Sequence, residues 1–297
     1  MIRNYPRTTI SAVKTTTGKI TPLDTVPGTQ RVLFNFKSTI MNEQTLQKMR
    51  QMKFFGMVRA FRTSMENGSM DKVTTDEMVS MLIDSEWDDR NNRRIERQMR
   101  NARFRYKANV EQLHFDINRN LDKNQLMRLA DCTFIQRKEN LLITGSTGIG
   151  KSYIASAIGN QACTLGYKVL YANSTKLFSR LKMTKADGSY IREIAKIERQ
   201  DLLILDDFGL QPLDGYSRAV LMEIIEDRHG NRATIITSQL PVSQWYEVIG
   251  EQTVADAILD RIVHDAHRIE LLGESLRKTL KNKITEDVET VQNYLNL

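Results

Sequence analysis

The stretch ENLLITGSTGIGKSYIASAIG, residues 139–159, decides the fold. It opens on a short apolar run, passes Gly145, Gly148 and Gly150, and continues in small residues with a lysine and a serine at the mouth of a helix. Gly145 to Ser152 fits G-x-x-x-x-G-K-[ST] between a strand and a helix, the pattern of a phosphate-binding P-loop. Glycines let backbone N–H groups curl around an anion without Cβ clashes, and the helix that follows presents unpaired N–H groups and its positive dipole end. The candidate nucleotide-binding positions are Gly145, Ser146, Thr147, Gly148, Ile149, Gly150, Lys151, Ser152 and Tyr153. Lys151 is expected to reach the β- and γ-phosphates of ATP, and the Ser152 hydroxyl to help hold Mg²⁺.

A P-loop names a phosphate but not a reaction. The discriminating element is DLLILDDFG, residues 201–209, where Leu202 to Leu205 fill a buried strand and deliver Asp206 and Asp207 at its carboxyl end. Asp206 is placed to hold Mg²⁺ and Asp207 to orient or deprotonate an attacking water. The strand ATIITSQLP, residues 233–241, ends in Thr237, Ser238 and Gln239, one of which is expected near the γ-phosphate. Arg261 and Arg277 lie further on in helical pattern, and hydrolysis needs positive charge at the γ-phosphate.

Short apolar runs alternate with helical patterns throughout this half of the chain. Strands are predicted at Leu141 to Thr144, Lys168 to Ala172, Leu202 to Leu205, Thr234 to Thr237 and Arg268 to Leu271. The predicted fold class is α/β: a P-loop domain with a central parallel five-stranded sheet flanked by helices, preceded by a small all-α N-terminal domain. The ligand then lies at the carboxyl ends of the strands.

Charge is distributed unevenly. The net charge is +7, yet the segment RNNRRIERQMRNARFRYK, residues 90–107, alone carries seven arginines and a lysine against one glutamate. It is predicted as a long amphipathic helix with Ile95, Met99, Ala102 and Tyr106 in an apolar stripe. Arg90, Arg93, Arg94, Arg97, Arg100, Arg103, Arg105 and Lys107 are candidate contacts to the DNA phosphate backbone, with Phe104 and Tyr106 interleaved. Such contacts position a duplex without reading its sequence.

Ahead of this segment, MNEQTLQKMRQMKFFGMVRAFRTSM from Met41 and TTDEMVSMLIDSEWDDR from Thr74 read as short helices with methionine as core filler. Residues 1–40 hold nine threonines and three of the five prolines without helical or alternating pattern, and read as an extended leader or a basic DNA-binding arm. The two cysteines and four histidines sit at no metal-ligand spacing, so neither a disulfide framework nor a zinc site is indicated. No apolar run reaches bilayer length and no secretory signal is evident, so no membrane association and a cytoplasmic location are expected.

The ordered set GSTGIGKS, LLILDDFGLQPL, ATIITSQLP, LDRIVHDAHRIEL and GESLRK resembles the IstB transposition-helper ATPases of bacterial insertion sequences, relatives of the DnaC helicase loaders in the AAA+ superfamily. The likeness runs from Met41 to about Leu280 and includes the arginine-rich segment. It implies that Ser238 or Gln239 is sensor 1, Arg261 an arginine finger offered to an adjacent subunit, and Arg277 the sensor 2 residue. It also implies ATP-dependent assembly as a homo-oligomeric ring or helical filament on double-stranded DNA, and recruitment of an IstA-like transposase. A DnaC-like loader of a replicative helicase, and a scaffold that binds ATP without hydrolysing it, remain alternatives. Asp207 departs from the glutamate that many AAA+ enzymes carry there, and its shorter side chain points to slow hydrolysis. The domain organisation expected is a leader over 1–40, a helical DNA- or partner-binding domain over 41–110, a linker over 111–139, the ATPase domain over 140–280 and a short helical tail over 281–297.

Overall fold

The computed structural model describes residues 41–68, 73–115 and 119–276, so the leader, the C-terminal tail and Arg277 lie outside the described residues. The chain divides into two units, Met1–Asp88 and Asp89–Leu297, and the division falls inside one long helix. Among the described residues no helix is long and apolar enough to cross a membrane.

In the first unit, residues 41–51 form helix α1, followed by α2 (Phe55–Glu66) and the beginning of α3 (Thr75–Ala102). Thr74 and Glu77 start α3 with a reciprocal cap: the Thr74 N–H donates to Glu77 Oε2 at 2.8 Å and the Glu77 N–H to Thr74 Oγ1 at 3.3 Å. The start of α2 is capped from a distance instead. Glu86, buried in α3, accepts from the Gly56 and Met57 N–H groups at 2.8 and 3.3 Å, satisfying donors that α2 cannot pair itself. Gly56 is required there, because a Cβ would run into the backbone of Ser85 and Glu86. The methionines expected as core filler are all half-buried or exposed among the described residues of this unit; Leu46 is its one fully buried large apolar side chain.

The second unit carries a five-stranded parallel sheet in the order β2-β3-β4-β1-β5. Its strands are β1 (Asn140–Gly145), β2 (Val169–Asn173), β3 (Leu202–Phe208), β4 (Ala233–Ser238) and β5 (Ala266–Leu271). The three central strands are nearly continuous apolar runs because both faces are covered. Leu141, Ile143, Leu202, Ile204 and Ile235 point into one core layer. Leu142, Leu203, Leu205 and Ile236, at the alternate positions, point into the other. The first layer is closed by α4 (Lys123–Ala130), α5 (Thr133–Arg137) and α6 (Lys151–Thr164). The second is closed by α7 (Ser174–Ala186), α8 (Tyr190–Glu198), α9 (Gly215–Arg228), α10 (Trp245–Ile249) and α11 (Gln252–Val263).

Two expectations are corrected. The arginine-rich helix stops at Ala102 rather than running to Lys107. Arg103 adopts a left-handed φ of 60°, which ends the helix and turns the chain so that Phe104 packs against the first core layer. Tyr106 therefore leaves the predicted stripe, while Ala102 stays fully buried. Residues 111–139, expected as a linker, hold α4 and α5 and supply Leu113, Leu126, Leu129 and Phe134 to that same core layer. Their apolar positions are short and broken by polar residues, so periodicity did not separate them from a connection.

The end of the sheet away from the P-loop is fastened by Arg228, only 1% exposed. Its guanidinium donates to Thr234 Oγ1 at 3.1 Å, to the carbonyls of Ile197 and Gln200 at 3.1 and 3.0 Å, and to the Ala233 carbonyl. Burial pulls its pKa down to about 9, opposed by Asp201. Arg228→Met keeps the bulk but leaves these acceptors without a donor, and is expected to cost about 2–4 kcal/mol of stability. The urea midpoint should fall at unchanged slope; a midpoint within error of the parent protein would contradict this role.

Candidate active site

The P-loop emerges from β1 and feeds α6, which begins at Lys151. Gly150 holds a φ of 105°, and a Cβ there would lie 2.7 Å from the Arg119 guanidinium. Arg119 itself is buried beneath the loop and donates to the Ile149 carbonyl at 3.0 Å, bracing the cradle from behind. Lys151 Nζ donates to the carbonyls of Gly145 and Ser146, both at 2.8 Å. Burial lowers its pKa, opposed by Asp207 and Asp206. A phosphate that draws Lys151 forward exchanges two neutral acceptors for a charged one, which strengthens the hydrogen bond.

Asp206 ends the unbroken buried run of β3 from Leu202 and is fully excluded from solvent. Its Oδ1 accepts from Ser152 Oγ at 2.7 Å and from Thr237 Oγ1 at 2.5 Å, and its Oδ2 from the Tyr171 hydroxyl. Burial and this bond both raise the Tyr171 pKa, so the phenol remains a donor. Ser152 and Asp206 are hard oxygen donors of the kind Mg²⁺ selects, already side by side at the mouth of the cradle, so the residues present fit that ion.

Asp207 has a left-handed φ of 58°, where β3 breaks register with β4 between Leu205 and Phe208. The turn lifts its side chain out of the sheet, 19% exposed. Its N–H donates to Thr237 Oγ1 at 3.1 Å, and its Oδ2 accepts from Asn173 Nδ2 and Arg105 Nη1, each at 3.1 Å. Arg105 also lies 3.6 Å from Asp206 Oδ2.

The cradle opens into a cavity of about 430 Å³. Its lining includes Lys151, Ser152 and Asp207 together with Tyr106, Leu113 and Leu276, a mixture of charged and apolar groups suited to a triphosphate and a base. Thr147 Oγ1 donates to Gln239 Oε1 at 2.6 Å, which brings the tip of β4 to the P-loop. Ser238 is instead buried and donates to the Phe208 carbonyl at 2.8 Å, fixing the turn after β3. Arg261, in α11, pairs with Glu226 at 2.8 Å and is not among the described residues lining the cavity. Arg90, Arg93, Arg94, Arg97 and Arg100 are exposed along α3. Arg103 and Lys107 are exposed beyond its end, and Arg105 is drawn to the two aspartates.

Tyr171, Asn173 and the double role of Thr237 were not assigned from the sequence, and Arg105 was assigned to DNA rather than to the aspartates. The first two stand opposite Ile204 and Asp206 in the β2–β3 register, which no single strand reveals.

A phosphate cradle on β1, with a buried carboxylate two strands away on β3, is the arrangement of a P-loop ATPase. Within that class the chain belongs to the IstB-like ATP binding protein family, matched over residues 47–284. It is 44% identical to the insertion sequence ATP-binding protein y4pL of Sinorhizobium fredii (strain NBRC 101917 / NGR234) over 80% of this chain and 98% of that one. It is 38% identical to the ATP-binding protein of insertion sequence IS1162 from Pseudomonas fluorescens, over 69% of this chain and 89% of that one. Among solved structures, DnaI superposes with a TM-score of 0.49 at 24% identity, covering 56% of this chain and 92% of that chain.

Thr237→Val removes the hydroxyl that donates to Asp206 and accepts from the Asp207 N–H at nearly constant volume. Turnover should fall about 10- to 100-fold with ATP affinity changed less than about threefold, and Thr237→Ser should restore most of it. Full turnover in the valine variant would show that the hydroxyl does not position Asp207.

Proposed function

We propose that this chain is an ATP-dependent regulator of DNA transposition that assembles on double-stranded DNA, binds ATP with Mg²⁺, and recruits and stimulates a partner transposase. One observation carries the reading: an exposed arginine face on α3 continues, within the same unit, into a segment that ends on the catalytic aspartates. A polyanion site and a nucleotide site are thereby joined by a few residues of backbone. The insertion-sequence names of the relatives support the transposition context.

In this reading Lys151 binds the β- and γ-phosphates and the P-loop N–H groups orient them. Ser152 and Asp206 would hold Mg²⁺, which would supply charge neutralisation at the phosphate oxygens. Asp207 accepts a hydrogen bond from the attacking water and takes its proton, while Gln239 reports on the phosphate through Thr147. Arg261 stands outside its own cavity, which supports its use as a finger toward a neighbouring subunit, with Arg277 as a further phosphate contact; ATP would then join subunits into a ring or filament. The short Asp207 side chain and its two donors suit slow hydrolysis stimulated by DNA or partner, in a cytoplasmic protein.

The test measures phosphate release and particle size together, with and without duplex DNA. Lys151→Ala should abolish ATP-dependent assembly, and Asp207→Asn should assemble with ATP yet release phosphate at least about 100-fold more slowly. Assembly that ignores Lys151→Ala would overturn the switch.

A further inference from the structure

The contact between Arg105 and the two aspartates sets this arginine apart from those exposed along α3, and the residues around it are held by packing. Arg103 turns the chain in its left-handed conformation, and the aromatic residues on either side of Arg105 are both seated. The Phe104 ring meets Tyr171 edge-on at 6.4 Å, in a space kept open by Gly159, where a Cβ would lie 2.6 Å from the Phe104 ring. Tyr106 meets Tyr153 of α6 at 6.0 Å, and the Arg105 guanidinium lies 5.5 Å from the centre of the Tyr106 ring. Arg105 is thus held at 3.1 Å from Asp207 and 3.6 Å from Asp206, while 46% of its side chain remains exposed.

A guanidinium in this position has two chemical effects. It places a fixed positive charge beside the carboxylate that would hold Mg²⁺, and like charges disfavour each other. It also takes up an oxygen of the carboxylate that must accept a proton from water, and so lowers its readiness to do so. Both effects oppose hydrolysis for as long as Arg105 stays.

Arg105 also lines a second cavity, of about 460 Å³, together with Arg103, Tyr171, Asn173, Lys176 and Asp207. Three cations there meet one carboxylate. Lys176 also sits in the first turn of α7, whose N-cap is Asn173, so N–H groups and the helix dipole add to the positive field. The cavity has the chemistry of a phosphate site, and the bond between Arg105 and Asp207 is what a phosphate would compete with.

We propose that Arg105 is a displaceable latch on the catalytic carboxylates: a backbone phosphate of nucleic acid entering the cavity between Arg103, Arg105 and Lys176 takes the guanidinium from Asp207 and Asp206 and so releases hydrolysis. The inference rests on the ATPase reading above and adds how the site is regulated. It is also where the arginine-rich segment and the nucleotide site meet chemically: α3 holds the polyanion, and the residues directly after it carry the news to Asp207.

The test uses the full chain with Arg105→Gln, Arg105→Lys, Arg103→Gln and Lys176→Gln, after matched thermal melts. The first readout needs no hydrolysis: the Mg²⁺ concentration for half-maximal binding of a fluorescent ATP analogue without DNA. Arg105→Gln should lower it about three- to tenfold, while Arg105→Lys, which keeps the charge, should stay near the parent value. The second readout is phosphate release without and with a duplex. Arg105→Gln should raise the unstimulated rate about tenfold and gain little from duplex, and Arg103→Gln and Lys176→Gln should need about three- to tenfold more duplex for half-maximal stimulation. Stimulation by inorganic phosphate in place of duplex would assign the cavity to free phosphate rather than to a nucleic-acid backbone. An Arg105→Gln protein that needs as much Mg²⁺ as the parent, or that releases phosphate more slowly, would overturn the latch. A parent protein that releases no phosphate even with duplex would instead count against the ATPase reading, and the Mg²⁺ titration would still decide the latch.

Discussion

The structure is organised around one buried carboxylate. Asp206 is fully excluded from water, and an isolated charge there would be too costly to keep. It is kept because hydroxyls from three separate elements converge on it: Ser152 from α6, Tyr171 from β2 and Thr237 from β4, with Arg105 close by. These bonds fix the amino end of α6 and the carboxyl halves of β2 and β4 relative to β3. The convergence of the P-loop, the tips of β2 and β4, and the segment after α3 is therefore a requirement of burying that charge as well as of any chemistry performed there.

The same constraint shapes Asp207. Its left-handed backbone is costly for a non-glycine residue, and it persists where Thr237 holds the N–H, and Asn173 and Arg105 hold the carboxylate. Thr237 thereby serves both aspartates at once, donating to one and accepting from the next. The opposite end of the sheet is secured by Arg228 on backbone carbonyls.

Much of this was legible in the sequence because it is local. GSTGIGKS and LLILDD carry their signal in consecutive residues, and short apolar runs between helical patterns mark a parallel sheet, so β1 to β5 and the two aspartates follow directly. What was not legible depends on partners far away in the chain. Tyr171 and Asn173 become site residues through strand register, Glu86 caps a helix thirty residues earlier, and α4 and α5 carry apolar positions too few to show a period. Arg105 is the instructive case. Composition assigned it to a basic face together with its neighbours, whereas one left-handed residue, Arg103, redirects it to the aspartates. Charge runs show where cations gather in the sequence, but they do not show which member of the run has been turned toward the site.

The proposed role of Asp206, coupling nucleotide to metal, is tested most directly by calorimetric titration of ATP into the parent protein and Asp206→Asn, each with and without Mg²⁺. The amide keeps the shape and an acceptor for the surrounding hydroxyls but removes the charge. The parent should bind ATP about tenfold or more tightly when Mg²⁺ is present, and the folded Asp206→Asn protein should bind it equally in both conditions. A variant that retains the full Mg²⁺ dependence would contradict the account, because the metal would then be held without the carboxylate on which the site converges.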